Sequence, residues 1–142
     1  LAGMLTHGLE LHCGHVQSLA GVGGPAHGAR TLFRLSPQDA VIVISFPRYV
    51  KDSIVIARKA KERGARIIAL TDSPTSPLAV LGDLTLYLPA TSRFTATSDS
   101  TIHAAIEALC AAVARHAKNS VKSAAAMTEF VLPWLHQETK TE

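Results

Sequence analysis

Val41-Ile42-Val43-Ile44-Ser45-Phe46-Pro47-Arg48-Tyr49-Val50-Lys51-Asp52 decides how this chain folds. The first four residues are an unbroken β-branched run, too short for a helix and apolar on both alternating faces. That pattern predicts a central strand covered on both sides. A polar turn follows, and beyond it Ile54, Ala57 and Ala60 mark the apolar face of a helix whose other face carries Arg58, Lys59, Glu62 and Arg63. Strand, polar turn and helix together aim free backbone N–H groups and the positive end of a helix dipole at the space above the strand's C-terminal edge, a place that favours an anion. Ser45 adds a hydroxyl there, and Arg48 adds a planar donor fork suited to phosphate or carboxylate.

Downstream, Gly64 is placed to end this helix as a C′ glycine, and Arg66-Ile67-Ile68-Ala69-Leu70 is a second buried strand. The two strands and the helix make one right-handed βαβ crossover with parallel strands. Thr71-Asp72-Ser73-Pro74 leaves the second strand at the same edge as Ser45. Ser76-Pro77 then has the form of an N-cap with proline at the first helical position, predicting a short helix that stops at Gly82. Leu84 to Leu88 is a third strand, stopped by Pro89. A polar, Ser/Thr-rich segment from Ala90 to Ser100 is long enough to be functional. Ile102, Ala105, Ile106, Leu109 and Val113 then form the stripe of a long helix whose start carries Ser98, Asp99 and Ser100.

Upstream, Leu1, Met4, Leu5, Leu9 and Leu11 form an amphipathic helix closed by Gly14, so the chain begins mid-fold. A helix that opens an α/β pattern returns from a strand, and a strand with its loop is expected to precede Leu1 in the parent protein. Val16 to Ala20 is a weak strand. Gly21-Val22-Gly23-Gly24-Pro25 is expected to be the most flexible stretch, and a helix should run from about His27 to Leu35. After Lys118-Asn119-Ser120 an apolar pattern resumes from Val121 to Leu135, with Pro133 kinking or ending it. That last helix is a candidate packing or dimer element.

With 142 residues, the chain is sized for one domain with a full core. Its 47% hydrophobic and 18% charged residues exclude a largely disordered protein. No apolar run reaches the roughly 20 residues of a membrane span, and no signal segment opens the chain, which together imply a cytoplasmic protein with no membrane partner. The net charge of +3 is too mild to argue for nucleic acid, and the basic series Lys51, Arg58, Lys59, Lys61, Arg63 and Arg66 reads first as a solvated helix face. Cys13 and Cys110 sit in apolar helical patterns that predict buried free thiols.

Three loops, Ser45 to Asp52, Thr71 to Ser76 and Thr91 to Ser100, converge on the strand edge where open α/β sheets bind ligands. Taken alone, Ser45 is first a helix cap or turn hydroxyl, and Arg48 a surface arginine. Pro47 removes one donor from the cradle. There is neither a Walker lysine loop nor a dinucleotide fingerprint, which disfavours a nucleotide-dependent enzyme. His12, Cys13 and His15 lack a second ligand pair, so helix-terminal and core roles outweigh a metal site, and no cofactor is expected. His103 is placed as a general base only if sugar chemistry occurs at this edge. Asp72 and Asp99 are turn and cap residues before they are a catalytic pair.

At these residues the sequence resembles a sugar isomerase (SIS) domain, and more closely the effector domain of RpiR/MurR-type bacterial transcription regulators. The likeness runs from Asp39 to His116. It is most specific in Val43-Ile44-Ser45-Phe46-Pro47-Arg48-Tyr49, in Ala57-Arg58-Lys59-Ala60-Lys61-Glu62-Arg63-Gly64-Ala65, and in Ala69-Leu70-Thr71-Asp72-Ser73-Pro74-Thr75-Ser76-Pro77-Leu78-Ala79. The resemblance implies a three-layer α/β/α sandwich with a parallel, flavodoxin-like sheet of five strands. It also implies that phosphorylated sugars bind through a serine-rich strand-to-helix loop. Ser45 matches that loop's first serine and Ser53 falls where threonine is frequent, while Pro47 and Val50 depart from the serine or threonine that is usual. Ser98 and Ser100 match hydroxyls at the start of the last helix.

The expected ligand set is Ser45, Phe46, Arg48, Tyr49, Ser53, Thr71, Asp72, Ser98 and Ser100. Residues 1–142 would form one such domain, with the parent regulator's helix-turn-helix, first strand and first serine loop lying before Leu1. DNA would then be a partner only through that absent part. What the resemblance implies is a non-enzymatic sensor: a phosphorylated sugar shifts a homodimer or higher homo-oligomer that positions DNA-binding heads. The competing classes are an aldose-ketose phosphosugar isomerase and an SIS fold kept only for dimerisation.

Overall fold

The structure, a computed structural model, describes residues 1–20, 24–95 and 97–135. Five α-helices and three strands alternate along them: α1 (Ala2–Glu10), α2 (Gly24–Arg34), β1 (Ala40–Ile44), α3 (Lys51–Glu62), β2 (Arg66–Thr71), β3 (Leu84–Tyr87), α4 (Asp99–His116) and α5 (Ser120–Val131), with a 3-10 turn at Leu132–Trp134. The strands are all parallel in the order β1-β2-β3, with Ile44 opposite Leu70 and Leu70 opposite Leu86.

Strand alternation sorts the core into two layers. Val43, Ile67 and Ala69 face Ala57 and Ala60 of α3, with Leu32, Leu35, Ile54 and Leu81 packed around them. Ile42, Ile44, Ile68, Leu70 and Leu86 face the opposite way, onto Leu5 and Leu9 of α1 and Ile102 and Ile106 of α4. Successive side chains of a strand point to opposite faces, so strands covered on both sides carry apolar residues at consecutive positions, as residues 41–44 of β1 and 67–70 of β2 do. The result is an α/β/α sandwich, as expected. In α1 the absence of a side chain at Gly8 lets the helix lie close on α4, since a Cβ there would stand 2.6 Å from Cys110 Sγ. Cys13 and Cys110 are free thiols, half-buried beside this layer rather than fully buried.

Gly64 ends α3 with φ +81°, the left-handed conformation expected of a C′ glycine. A Cβ there would also come 3.1 Å from Pro37 Cγ, so the turn into β1 packs against it. Asp83 pins the opening of β3 to β2: its Oδ2 accepts from the Ile67 N–H at 2.7 Å and its Oδ1 lies 3.3 Å from Lys61 Nζ. The Ile67 N–H first, and then Lys61, hold this carboxyl below its ordinary value.

Several expectations are corrected. β1 is an edge strand among the described residues, and β2 is the central one. Apolar residues on both faces report cover by helices, and they carry no information about how many lateral neighbours a strand has. Val16 to Ala20 forms no strand, because none of the three strands offers it a ladder; Val16 instead packs on the α1/α4 layer. Three strands are therefore described where the resemblance implies five. Ser76-Pro77 starts no helix. Residues 73–81 close i to i+3 turns instead, Ser76 N–H to Ser73 O, Ala79 N–H to Ser76 O and Leu81 N–H to Leu78 O, each at 3.0 Å. Ser76 keeps half of its expected cap, accepting the Leu78 N–H on Oγ at 3.2 Å. α1 closes at Leu11, ahead of Gly14, and α2 begins at Gly24 with Pro25 in its first turn, where a missing N–H costs nothing. Gly21, Val22 and Gly23 lie outside the described residues.

No helix among the described residues is long and apolar enough to cross a membrane. α5 contacts α4, and at its start Ser120 is buried with its Oγ 2.9 Å from His12 Nδ1. Val121, Met127 and Phe130 of α5 are exposed, as is Trp134 in the turn that follows, and the Phe130 and Trp134 rings lie tilted with centroids 5.1 Å apart.

Candidate functional site

Ser45 is the first residue beyond β1, and its N–H still donates to Leu70 O at 3.0 Å, so the backbone is held in register with β2. Alternation puts its side chain on the same face as Val43, beneath the start of α3. The residue is 4% exposed, and its Oγ is buried with no hydrogen-bond partner among the described residues. A buried hydroxyl left unsatisfied is costly, and an orphan of this kind in a native fold calls for a ligand or a solvent atom. Ser45 does not cap α3. The N-cap is Val50, with no side-chain hydrogen bond to the helix N-terminus.

Next along the loop, Pro47 and Arg48 make a turn in which Arg48 has φ +74°, among the described residues the sole non-glycine with positive φ. Proline at the second position and a left-handed third residue are the marks of a type II turn, whose third place is normally glycine or asparagine. A β-carbon in this conformation costs on the order of 1 to 2 kcal/mol. Nothing in the residue types announced it. Arg48 is exposed and makes no hydrogen bond or ion pair among the described residues.

Strain in the turn is matched by a clamp. Tyr49 is half-buried, and its phenol donates to Asp72 Oδ1 at 2.9 Å, tying the β1–α3 loop to the end of β2. The hydrogen bond to Asp72, with burial and the carboxylate's charge, pushes the Tyr49 phenol above its ordinary value. Thr71, fully buried, lies 2.7 Å from Ser76 Oγ and 3.3 Å from Asp72 Oδ1. Its single hydroxyl proton serves the shorter contact better. Ser76 was missed as a site residue because it read as a helix cap; the buried pairing with Thr71 is visible only once the loop is folded.

The expected residues divide by face. Tyr49, Asp72 and Thr71 are brought together by hydrogen bonds at the sheet's C-terminal edge, where Ser45 also leaves β1, while Ser53 lies half-buried in the first turn of α3. Phe46 turns the other way and packs against the α1/α4 layer, so its side chain supports the loop from below. Ser98 and Ser100 reach the same edge from the opposite face: Ser98 is the N-cap of α4, its N–H donates to Ala90 O at 2.9 Å, and no side chain caps the helix. Two helix N-termini, those of α3 and α4, thus arrive without side-chain caps, which leaves orphan N–H donors for an anion. Asp52 and Asp99 in their first turns oppose an anion and complement the helix dipoles. Two surface depressions lie elsewhere: one between Lys61, Gly64, Arg66 and Asp83 at the far edge of the sheet, and one beside His12, Val113 and His116. Neither is lined by a buried side-chain atom without a partner among the described residues; that atom is Ser45 Oγ. Among the described residues no three His, Cys, Asp or Glu side chains are grouped to hold a metal ion.

A family model of the SIS domain matches residues 9–115. The chain belongs to the SIS domain family. It is similar to the sugar isomerase domain of an RpiR transcription factor from Sphaerobacter thermophilus, at 30% identity and a TM-score of 0.77, over 91% of this chain and 70% of that one. The Vibrio vulnificus NanR protein complexed with ManNAc-6P shares the fold at 18% identity and a TM-score of 0.70, over 94% of this chain and 51% of that one. This chain therefore spans about half the length of NanR. Among curated proteins none matches this sequence.

Proposed function

We propose that this SIS domain senses a phosphorylated sugar, which binds at the C-terminal edge of the sheet, and that in an RpiR-type regulator this binding controls sugar-metabolism genes. The orphan Ser45 hydroxyl, 4% exposed under the uncapped start of α3, is the observation that carries the reading. It offers a donor with no internal partner where backbone N–H groups already favour an anion. The likeness to the sugar isomerase domain of an RpiR transcription factor, and the fold shared with the NanR protein complexed with ManNAc-6P, support the sugar-phosphate class. Pentose, hexose and amino-sugar phosphates, ManNAc-6P included, should each be tried beside the same sugar without phosphate. A ligand at about 100 times its Kd should stabilise the fold by ~2.7 kcal/mol. The expected result in a thermal-shift screen is a rise with at least one phosphorylated member and none with its free partner. Equal shifts within every pair would remove the anion site.

The same panel is expected to pass through unchanged. An aldose-ketose isomerase needs a base beside C1 and C2 of the sugar. His103, half-buried in the first turns of α4, is the residue such a mechanism would have to use. A coupled assay checks this, and turnover abolished by His103→Ala would establish the enzyme instead.

Assembly is the remaining element of the reading. A homodimer is expected through the C-terminal end of α5 and the turn after it, where Phe130, Trp134 and Leu135 are each more than half exposed. Light scattering should return twice the chain mass at tens of micromolar. A monomer at that concentration would count against an interface of ordinary size.

A further inference from the structure

A half-buried carboxylate, Asp72, stands at the end of β2, on the strand edge that Ser45 shares, and it is not consumed by its neighbours. Asp72 Oδ1 takes the Tyr49 phenol at 2.9 Å and lies 3.3 Å from Thr71 Oγ1, whereas Oδ2 accepts no hydrogen bond among the described residues. The two loops that Tyr49 and Asp72 join are those that flank the orphan Ser45 hydroxyl. For a bare phosphate the arrangement is unfavourable, since like charges in one partly desolvated site repel. A ligand that brings hydroxyls as well as a phosphate changes the balance. Its phosphate meets the Ser45 hydroxyl and the α3 N–H groups, and a hydroxyl donates to Asp72, which as a carboxylate is an acceptor only.

We propose that Asp72 is the specificity-determining residue of this edge: through Oδ2 it selects a phosphomonoester on a polyhydroxylated carbon chain and rejects a phosphomonoester without hydroxyls. The inference rests on the sugar-phosphate reading of the site. Tyr49 is a positioning residue in it, since by occupying Oδ1 it leaves Oδ2 as the acceptor. A site that accepts a ligand hydroxyl discriminates against an analogue that lacks one, because the hydrogen bond to the carboxylate is then lost. Repulsion adds to that penalty for the analogue, so both effects act in the same direction.

The test compares three probes by competition calorimetry: the best-binding sugar phosphate of the panel above, methyl phosphate, which has the same phosphomonoester charge and no hydroxyl, and inorganic phosphate. In the wild type the sugar phosphate should bind more tightly than methyl phosphate. Asp72→Asn removes the charge at nearly constant size, and it should narrow that preference by roughly 10- to 100-fold, the worth of one hydrogen bond to a charged group. Part of the change should come from tighter binding of methyl and inorganic phosphate. Tyr49→Phe, whose fold is checked by its melting curve, should narrow the same ratio by less. A merely structural loss would weaken all three probes in parallel and leave the ratio alone.

A preference unchanged in both Asp72→Asn and Tyr49→Phe, with binding intact, overturns the role of Asp72 and leaves the anion site standing. A wild type that binds methyl phosphate as tightly as every sugar phosphate does the same. If the wild type binds none of the three probes, the sugar-phosphate reading itself falls, and the selectivity falls with it.

Discussion

Ser45→Ala is expected to weaken sugar-phosphate binding by roughly 1.5 to 3 kcal/mol, about 10- to 150-fold, the loss of one hydrogen bond to a charged group. The same substitution should leave the free protein as stable as before or more so. The hydroxyl is buried, has no hydrogen-bond partner among the described residues and does not cap α3. Turning the hydroxymethyl group into a methyl group removes an unsatisfied polar atom, which should raise the unfolding free energy by up to ~1 kcal/mol. Opposite signs for binding and stability are the signature of a group kept for a ligand. Calorimetry and thermal melts measure the two separately. Lys59→Ala is the control: Lys59 pairs with Glu62 at 2.7 Å on the solvated side of α3, an exposed pair with little to contribute. A Ser45→Ala protein that melts earlier and binds as tightly as the wild type would make the hydroxyl structural and would move the anion elsewhere on the edge.

The fold was legible in the sequence wherever it depended on the pattern of a single element. Val41 to Ile44 and Arg66 to Leu70 were strands because a run apolar on both faces has to be covered on both faces. Gly64 ended α3 because φ +81° there suits glycine. Lateral position was not legible: the apolar run of β1 looks the same at an edge as at the centre. Pairing was not legible either, so Val16 to Ala20 had strand character without a ladder to join. Ser76-Pro77 failed for a related reason, since a local cap motif favours a helix start but cannot supply the length that a helix needs.

At the candidate site the positions were legible and the relations between them were not. Ser45, Thr71 and Asp72 follow from the rule that loops after parallel strands meet at one edge. That the Ser45 hydroxyl has no partner among the described residues, that Tyr49 reaches 23 residues along the chain to Asp72, and that Thr71 pairs with Ser76 are facts of three-dimensional neighbourhood. Phe46 shows the same limit from the other side. It stands in the most specific stretch of the family likeness, yet the strand's alternation turns it away from Ser45 and into the α1/α4 layer.

Ile102→Ala should produce the largest loss of stability among these substitutions. Ile102 is fully buried in the first turn of α4, in the layer it shares with Leu5, Leu9, Leu70 and Ala90. Truncating a buried isoleucine to alanine costs ~2 to 5 kcal/mol, and α4 is a long helix whose surroundings cannot all shift to fill the gap. Against a total of roughly 5 to 15 kcal/mol for a domain, that is a large fraction, and denaturant melts should show an earlier midpoint at an unchanged slope. Val80→Ala removes apolar atoms from a side chain that is 79% exposed, and should fall within about 0.5 kcal/mol of the wild type. The effect of Ile102→Ala should not stop at stability. Ile102 seats the end of α4 that carries Ser98, Asp99 and Ser100, so loosening it lets the uncapped N-terminus drift from the edge it shares with α3. If that N-terminus helps to hold the phosphate, affinity at a temperature where the variant is still folded should fall as well. Affinity unchanged in the folded variant would assign the phosphate to the Ser45 side of the sheet alone.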